Sequence, residues 1–283
     1  MNDIYQHFSY YTFGELVQGI YQGTPFLVSF PIEQKVTVTF VRDSKNKITI
    51  PKEKTKVLQM IALWEKITEK CVSGTFVYHE PLPIGKGYAS SSANLVATLR
   101  CLNEAYHISM NEKEIANLLC SIEPTDSVFS KELLLFEQQS GRIIHRLGKT
   151  FPFTIIGIDE GGMIDTKEIY KQKYRYSTTS IKEMEWMYNA INQGMIHHDL
   201  QLIYKVTRTS AYINQDVLQK KYFSFFYERA THYNIGLVVA HSGSLIGLLT
   251  TQDDVRIKRM MREIELKTGK KGSLYTLPQP FIV

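Results

Sequence analysis

The sequence predicts an α+β protein built as two lobes with a cleft between them. Three observations lead there. β-Branched strands alternate with apolar-striped helices in the first half. The second half follows a strand–helix–helix–strand–strand–helix–strand order, which is ferredoxin-like. The length, 283 residues, suffices for one large domain or two modest ones sharing a core. A boundary is expected near residue 150, dividing the chain into 1–150 and 151–283.

Each element rests on a local pattern. Phe26–Phe30 and Val36–Val41 are rich in β-branched and aromatic residues and predict two strands. Across Lys52–Lys70, Val57, Leu58, Ile61, Trp64 and Ile67 share one helical face. Gly74 interrupts that pattern, and Thr75–Glu80 reads as a further strand. Leu95–Leu102 is apolar on more than one side, which predicts a helix buried against a sheet. Ser109 with Glu112 has the spacing of a capping box, followed by the stripe Ile115, Leu118, Leu119 and Ile122. Pro124 ends that helix, because the residue before a proline is pushed out of helical geometry. Leu133–Glu137 and Arg142–Leu147 flank Ser140-Gly141 as a hairpin. Beyond the boundary come a strand at Phe151–Ile158 and helical patterns across 179–232. Strands at Ile235–Ala240 and Leu245–Thr250, a charged helix at Asp253–Thr268 and a last strand at Leu274–Val283 follow.

Composition narrows the class. Hydrophobic residues at 43% and charged residues at 22% are the balance of a soluble globular protein. The absence of a long apolar run and of a basic-then-apolar leader predicts a cytoplasmic protein with no membrane partner. Cys71, Cys101 and Cys120 are too widely spaced for a metal or redox motif and read as reduced, half-buried thiols. The net charge of +5 is low and dispersed, so the clusters at Lys52–Lys56 and Arg256–Lys271 are expected to be solvated helix faces, not a nucleic-acid surface. His197-His198-Asp199 is expected at a helix boundary, and Trp64 and Trp186 in helical stripes.

The chemistry concentrates in Pro83-Ile-Gly-Lys-Gly-Tyr-Ala-Ser-Ser-Ser-Ala93, between a strand and a buried helix. Glycine and alanine leave backbone N–H groups uncovered, and a helix start adds unpaired donors and partial positive charge. Together they predict an anion site suited to phosphates. The alternative is a plain strand–turn–helix connection. Serines at the helix start suit capping, Mg²⁺ ligation, or one of each. Lys86 is placed to add a point charge to a phosphate. The segment is neither a Walker A loop nor part of a protein-kinase signature.

Pro-x-x-x-Gly-x-Ala-Ser-Ser-x-Ala resembles the phosphate-loop motif of the GHMP kinase superfamily. That motif usually reads Gly-Leu-Gly-Ser-Ser where this chain has Gly87-Tyr88-Ala89-Ser90-Ser91. Gly-Lys-Gly-x-Ala-Ser-Ser is similar to a narrower branch, the L-threonine kinases, which make O-phospho-L-threonine for the nucleotide-loop linker of cobalamin. Gly14-Glu-Leu-Val-Gln-Gly19, Glu123-Pro-Thr-Asp-Ser127 and Ala240-His-Ser-Gly-Ser-Leu-Ile-Gly247 resemble three further motifs of that branch, in the same order. Tyr11-Thr12-Phe13 and Asn94 depart from it and are expected near the substrate.

The resemblance implies a two-lobed GHMP-kinase fold and transfer of the ATP γ-phosphoryl group, with Mg²⁺, to the hydroxyl of L-threonine. It assigns ATP binding to Pro83, Gly85, Lys86, Gly87, Tyr88, Ala89, Ser90, Ser91 and Ser92. Asp126 follows a helix-ending proline, matches the superfamily's catalytic base and is the candidate base; capping the next turn is its alternative role. Glu123 with Ser90 or Ser91 is the candidate Mg²⁺ set. Gly14, Glu15, Thr125, His241, Ser242, Gly243 and Ser244 are the candidate substrate residues. Within that group Glu15 is suited either to pair with an ammonium group or to stand as a surface carboxylate. Residues 241–244 suit either an ordinary hairpin turn or a support for the phosphate loop across the cleft. The partners expected are ATP and a small hydroxy amino acid, with room for a homodimer and none for nucleic acid. Serine, homoserine or an amino alcohol as acceptor, and a non-catalytic binder of the same fold, are the rival readings.

Overall fold

The computed structural model describes residues 3–162 and 176–282. The chain opens with a long hairpin, β1 (Asp3–Tyr21) against β2 (Thr24–Arg42). Gln22 and Gly23, both at positive φ, form its two-residue turn, the conformation that matches the twist of paired strands. The two short strands expected within 26–41 are therefore one strand of 19 residues. Register shifts between Tyr10 and Val17 bend β1 in its middle, as bulges do. Then follow β3 (Ile48–Thr49), helix α1 (Thr55–Thr68), β4 (Gly74–His79), α2 (Ser90–Ala105) and α3 (Glu112–Cys120). The hairpin of β5 (Leu133–Glu137) and β6 (Arg142–Gly148) closes the first half as the sequence predicts.

The second half contains β7 (Phe153–Asp159), α4 (Thr178–Ile196), α5 (Leu200–Asn214) and α6 (Phe223–Tyr233). It ends with β8 (Gly236–Val239), β9 (Leu245–Thr251), α7 (Ile257–Thr268) and β10 (Ser273–Thr276). Among the described residues three helices, one more than expected, separate β7 from β8. The strand order β10-β7-β9-β8 is that of an antiparallel ferredoxin-like sheet. It continues through a bridge between Glu15 and Val239 into β1, β2, β4 and β3, so that one ten-stranded sheet underlies the described residues. This is the mixed α+β architecture that the sequence predicts.

Packing explains most local choices. Helix α2 is buried on nearly all sides, from Ser90 to Ala105, because it lies on β1 and β2. In α1 the buried face is Val57, Met60, Ile61 and Trp64; Leu58 and Ile67, expected in the stripe, are exposed. Trp64 is fully buried and donates to Asn103, whereas Trp186 is only partly buried, beneath the Lys205 ammonium. The capping box on α3 is Asn111 with Glu114, two residues beyond the predicted Ser109 and Glu112. Asparagine offers the same side-chain acceptor, and its partner glutamate has the same reciprocal spacing. His197 ends α4 and Asp199 caps α5, the boundary expected for that segment. Cys101 is buried but Cys71 is exposed, contrary to the half-buried reading. β10 stops at Thr276, and the Pro278–Pro280 segment turns into a short 3₁₀ turn at Gln279–Phe281. No helix among the described residues is long and apolar enough to cross a membrane.

Candidate active site

The loop before α2 is shaped for an anion. Ala89, the N-cap residue, is held at φ 52°, and no side chain caps the helix. The serines therefore do not cap, and the first-turn amides keep their donors and the helix's positive end. The three hydroxyls are used differently. Ser91 donates to Glu123, Ser92 accepts from the Asp126 N–H at 3.1 Å, and the buried Ser90 Oγ has no partner.

Three backbone contacts from two segments hold the loop. Thr12 N–H donates to the Tyr88 carbonyl at 3.0 Å, and Gly14 N–H reaches the Gly87 carbonyl at 3.4 Å. From the far side Ser244 N–H donates to the Lys86 carbonyl at 2.9 Å. Gly87, at φ +101°, packs so tightly on the 240–244 turn that an added Cβ would collide with Ala240 Cβ. A Cβ on Gly243 would strike the Lys86 carbonyl in turn. Two glycines meet there because nothing larger fits. The predicted support of the phosphate loop by residues 241–244 is thus a direct backbone contact.

Not every loop residue that was expected at the site offers its side chain to the cleft. The Tyr88 ring is buried in the core, its hydroxyl 3.0 Å from that of Tyr275 and its ring edge-on to Phe13. Lys86 Nζ is engaged by Asp159 at 3.4 Å and by the Gly162 carbonyl at 2.5 Å, and Asp159 also accepts from Ser244. Pro83 is exposed and does not line the cleft. Tyr11, Thr12 and Phe13 are wholly buried, Asn94 of α2 donates to Glu80 at 2.8 Å, and none of the four lines the cleft.

The bend after α3 brings two carboxylates to the same cleft, whose volume is ≈ 410 Å³. That lies within the roughly 300–1,000 Å³ typical of small-molecule sites. Glu123 accepts from Ser91 on one oxygen and from the Lys56 ammonium on the other. Lys56 Nζ also lies 3.5 Å from Ser91 Oγ. Asp126 accepts from Ser29 Oγ of β2 at 2.7 Å. Burial pushes its carboxyl above the usual aspartate range; the Ser29 bond opposes that and the Glu123 charge adds to it. Thr125 is buried between these two, its hydroxyl unpartnered and its N–H given to the Gln138 carbonyl.

Glu15 is not a surface carboxylate. It is buried, pairs across the hairpin with Ser29, and accepts from the His241 N–H at 2.6 Å. Directly opposed residues on paired strands point to one face, so Glu15 and Ser29 stand side by side next to Asp126. Burial, reinforced by the Asp126 charge, holds Glu15 well above the ordinary carboxylate range. Lys220, buried just before α6, donates to the carbonyls of Ala240 and Gly243 and so braces the turn from beneath. Burial lowers its ammonium to about 8. His241 Nδ1 lies 2.5 Å from Gln18 Oε1, and burial followed by the Lys220 charge lowers the imidazole to about 4, which keeps it neutral at pH 7.

The structure therefore gathers Gly85, Gly87, Tyr88, Ala89, Ser90, Ser91, Ser92, Glu123, Asp126 and Ser242 around one cleft. Gly14, Glu15, His241, Gly243 and Ser244 form the wall behind it. The sequence reading missed Lys56, Ser29, Lys220 and Gln18. Lys56 lay inside a cluster taken for a solvated helix face, yet it reaches the cleft, and its neighbour Lys54 is buried against Glu80. The oxygen donors present fit Mg²⁺: a hydroxyl and a carboxylate already face each other at Ser91 and Glu123, with the unpartnered Ser90 hydroxyl beside them.

Comparison with known proteins agrees with this geometry. Residues 56–130 match the GHMP kinases N terminal domain, a stretch that includes Lys56, the phosphate loop, Glu123 and Asp126. The chain is 26% identical to an L-threonine kinase of Salmonella typhimurium over 262 residues, 89% of this chain and 86% of that protein. An L-threonine kinase of Citrobacter freundii is 24% identical over 83% of each chain. The crystal structure of a homoserine kinase from Cytophaga hutchinsonii superposes with a TM-score of 0.76 over 98% of this chain and 95% of that one. At 15% identity that likeness shows a shared fold.

Proposed function

We propose that this chain, an ATP-dependent kinase of the GHMP type, transfers the γ-phosphoryl group of ATP to the hydroxyl of L-threonine, giving O-phospho-L-threonine and ADP. The observation that carries the reading is that Asp126 and the uncapped start of α2 line one cleft. A phosphate acceptor site and a proton acceptor are the two things phosphoryl transfer asks of a protein beyond positioning. L-threonine is favoured as acceptor because the relatives that align over most of the chain are L-threonine kinases.

In this reading the amides at Ser90, Ser91 and Ser92 hold ATP phosphates, with Gly85 and Gly87 letting the backbone come close. Ser91 and Glu123 hold Mg²⁺, which when bound spreads the negative charge of the phosphates. Lys56 orients Glu123 and adds positive charge. The threonine hydroxyl hydrogen-bonds to Asp126. As its oxygen forms the new bond to the γ-phosphorus, the bond from that phosphorus to the β-phosphate oxygen breaks. The hydroxyl proton passes to Asp126, and ADP leaves. Ser29 steadies the charged form of Asp126 before transfer. Glu15 and Lys220 act through the 240–244 turn and so position the loop.

Homoserine is the second reading, favoured by the structural likeness to a homoserine kinase. ADP release with Mg-ATP across L-threonine, L-serine, homoserine and 1-amino-2-propanol separates the two. L-threonine is expected to give the highest kcat/KM. A preference for homoserine would move the assignment, and no turnover of any of them by folded protein would overturn it.

A further inference from the structure

Behind the turn of His241 a second, smaller cavity of ≈ 40 Å³ opens between β1, α4 and α5. Gln18, Asn214, Ser210 and His241 supply its polar wall, and Leu27 and Met184 part of its apolar one. Both Gln18 and Asn214 are more than nine-tenths buried, and both carry a side-chain NH₂ group, Gln18 Nε2 and Asn214 Nδ2, that has no hydrogen-bond partner. Buried amide donors are costly to leave unpaired. Two of them lining one cavity point to an acceptor that arrives with a ligand.

We propose that Gln18 and Asn214 form the carboxylate subsite of the amino-acid acceptor, a reading that rests on the kinase activity proposed above. Three features fit a carboxylate. The donors come as a pair, from two neutral amides. The cavity is worth about three water-sized groups at roughly 10–15 Å³ each, the heavy-atom count of a carboxylate. The positive charge of Lys220 lies close enough to His241 to affect its protonation, so the potential at that wall favours an anion.

The position also suits a short hydroxy acid. Leu27, in the cavity wall, is two residues along β2 from Ser29, the partner of Asp126, and two strand residues span about 6–7 Å. A hydroxyl and a carboxylate on adjacent carbons, each with a hydrogen bond of about 2.8 Å, bridge that interval. Gln18 is fixed for the task. Its N–H donates to Ser210 Oγ at 2.9 Å, and its Oε1 takes the His241 contact, which turns its NH₂ away from the histidine. Recognition by amides instead of arginine gives selectivity for a small anion without a permanent buried cation.

The test compares L-threonine with 1-amino-2-propanol, the same acceptor lacking its carboxylate, in Asn214→Asp, Asn214→Ala and Gln18→Glu. Each compound is measured by kcat/KM or, where it is not turned over, by its competitive inhibition constant. The preference for L-threonine is expected to fall at least tenfold in each variant, with the KM for ATP and the melting temperature little changed. Asn214→Ala carries the test if a buried Asp prevents folding. An unchanged preference, the result if the cavity holds water only, overturns the subsite, as does an equal loss for both compounds. Failure of the unaltered enzyme to use any hydroxy amino acid overturns the kinase reading instead.

Discussion

Ser29 on β2 donates a 2.7 Å hydrogen bond to Asp126 on the bend after α3, joining the centre of the sheet to the proposed base. That bond favours the ionised carboxyl while burial favours the neutral one. Removing it in Ser29→Ala is expected to raise the Asp126 pKa further. A base must be deprotonated to act, so the acid limb of the pH profile of kcat/KM moves to higher pH. Hydrogen bonds to charged groups are worth about 1.5–3 kcal/mol, which sets the shift at roughly one to two pH units. An unmoved limb would separate Asp126 from the titrating group.

Asp126→Asn is expected to lower kcat by roughly 10²- to 10⁴-fold, the usual contribution of a positioned base, with little change in the KM for ATP. Steady-state kinetics on folded variant check this. Near-normal turnover would return Asp126 to a turn-capping role.

Glu123→Gln keeps the shape of the bend but weakens an oxygen ligand. The Mg²⁺ concentration for half-maximal activity is expected to rise at least tenfold, whereas Lys56→Met, which frees the carboxylate from its ammonium, lowers kcat with a smaller change in metal dependence. Metal titration of activity reads both. Identical titrations for Glu123→Gln and the unaltered enzyme would remove the glutamate from the metal set.

Lys220 gives a stability signature. Its folded pKa, about 8, lies below the ordinary lysine value, so between about pH 8 and 10.5 the unfolded chain binds more protons than the folded one. The contribution of this residue to stability therefore improves as pH rises through that window. Lys220→Met is expected to flatten that part of the curve in urea unfolding. It also leaves the Ala240 and Gly243 carbonyls without their donor, at roughly 1–3 kcal/mol each. An unchanged pH slope would show that the lysine is hydrated.

Gly243→Ala places a methyl group against the Lys86 carbonyl. Because the neighbour is backbone, the loop must shift, and ATP affinity is expected to fall by an order of magnitude or more with a loss of about 1–3 kcal/mol in stability. Calorimetric ATP binding and thermal melting check both.

The elements that could be read from sequence were those whose signal is local. The phosphate loop shows itself through glycine and serine between a strand and an apolar helix, and Pro124 marks the bend that carries Asp126. The capping box was legible in kind but misplaced, since Ser109-x-x-Glu112 and Asn111-x-x-Glu114 satisfy the same rule and only tertiary packing chooses. Strand β1 was not read as a strand, and β2 was read as two because Pro31, Glu33, Gln34 and Lys35 interrupt its apolar pattern. Lys56, Lys220 and Asn214 were invisible for a different reason. A lysine on a charged helix face or an asparagine at a helix end is ordinary, and only partners far along the chain make these particular ones matter.

Strand β1 touches three parts of the site: Thr12 and Gly14 hold the loop before α2, Glu15 the His241 turn, and Gln18 the smaller cavity. It also precedes β8 and the turn at 241–244 by most of the described chain. A nascent chain can therefore complete the β1–β2 hairpin yet carry one unpaired sheet edge until β8 has been made. A chain that stops before the His241 turn lacks the backbone contacts at Ser244 and Gly243 that hold the loop, and with them the far wall of the site.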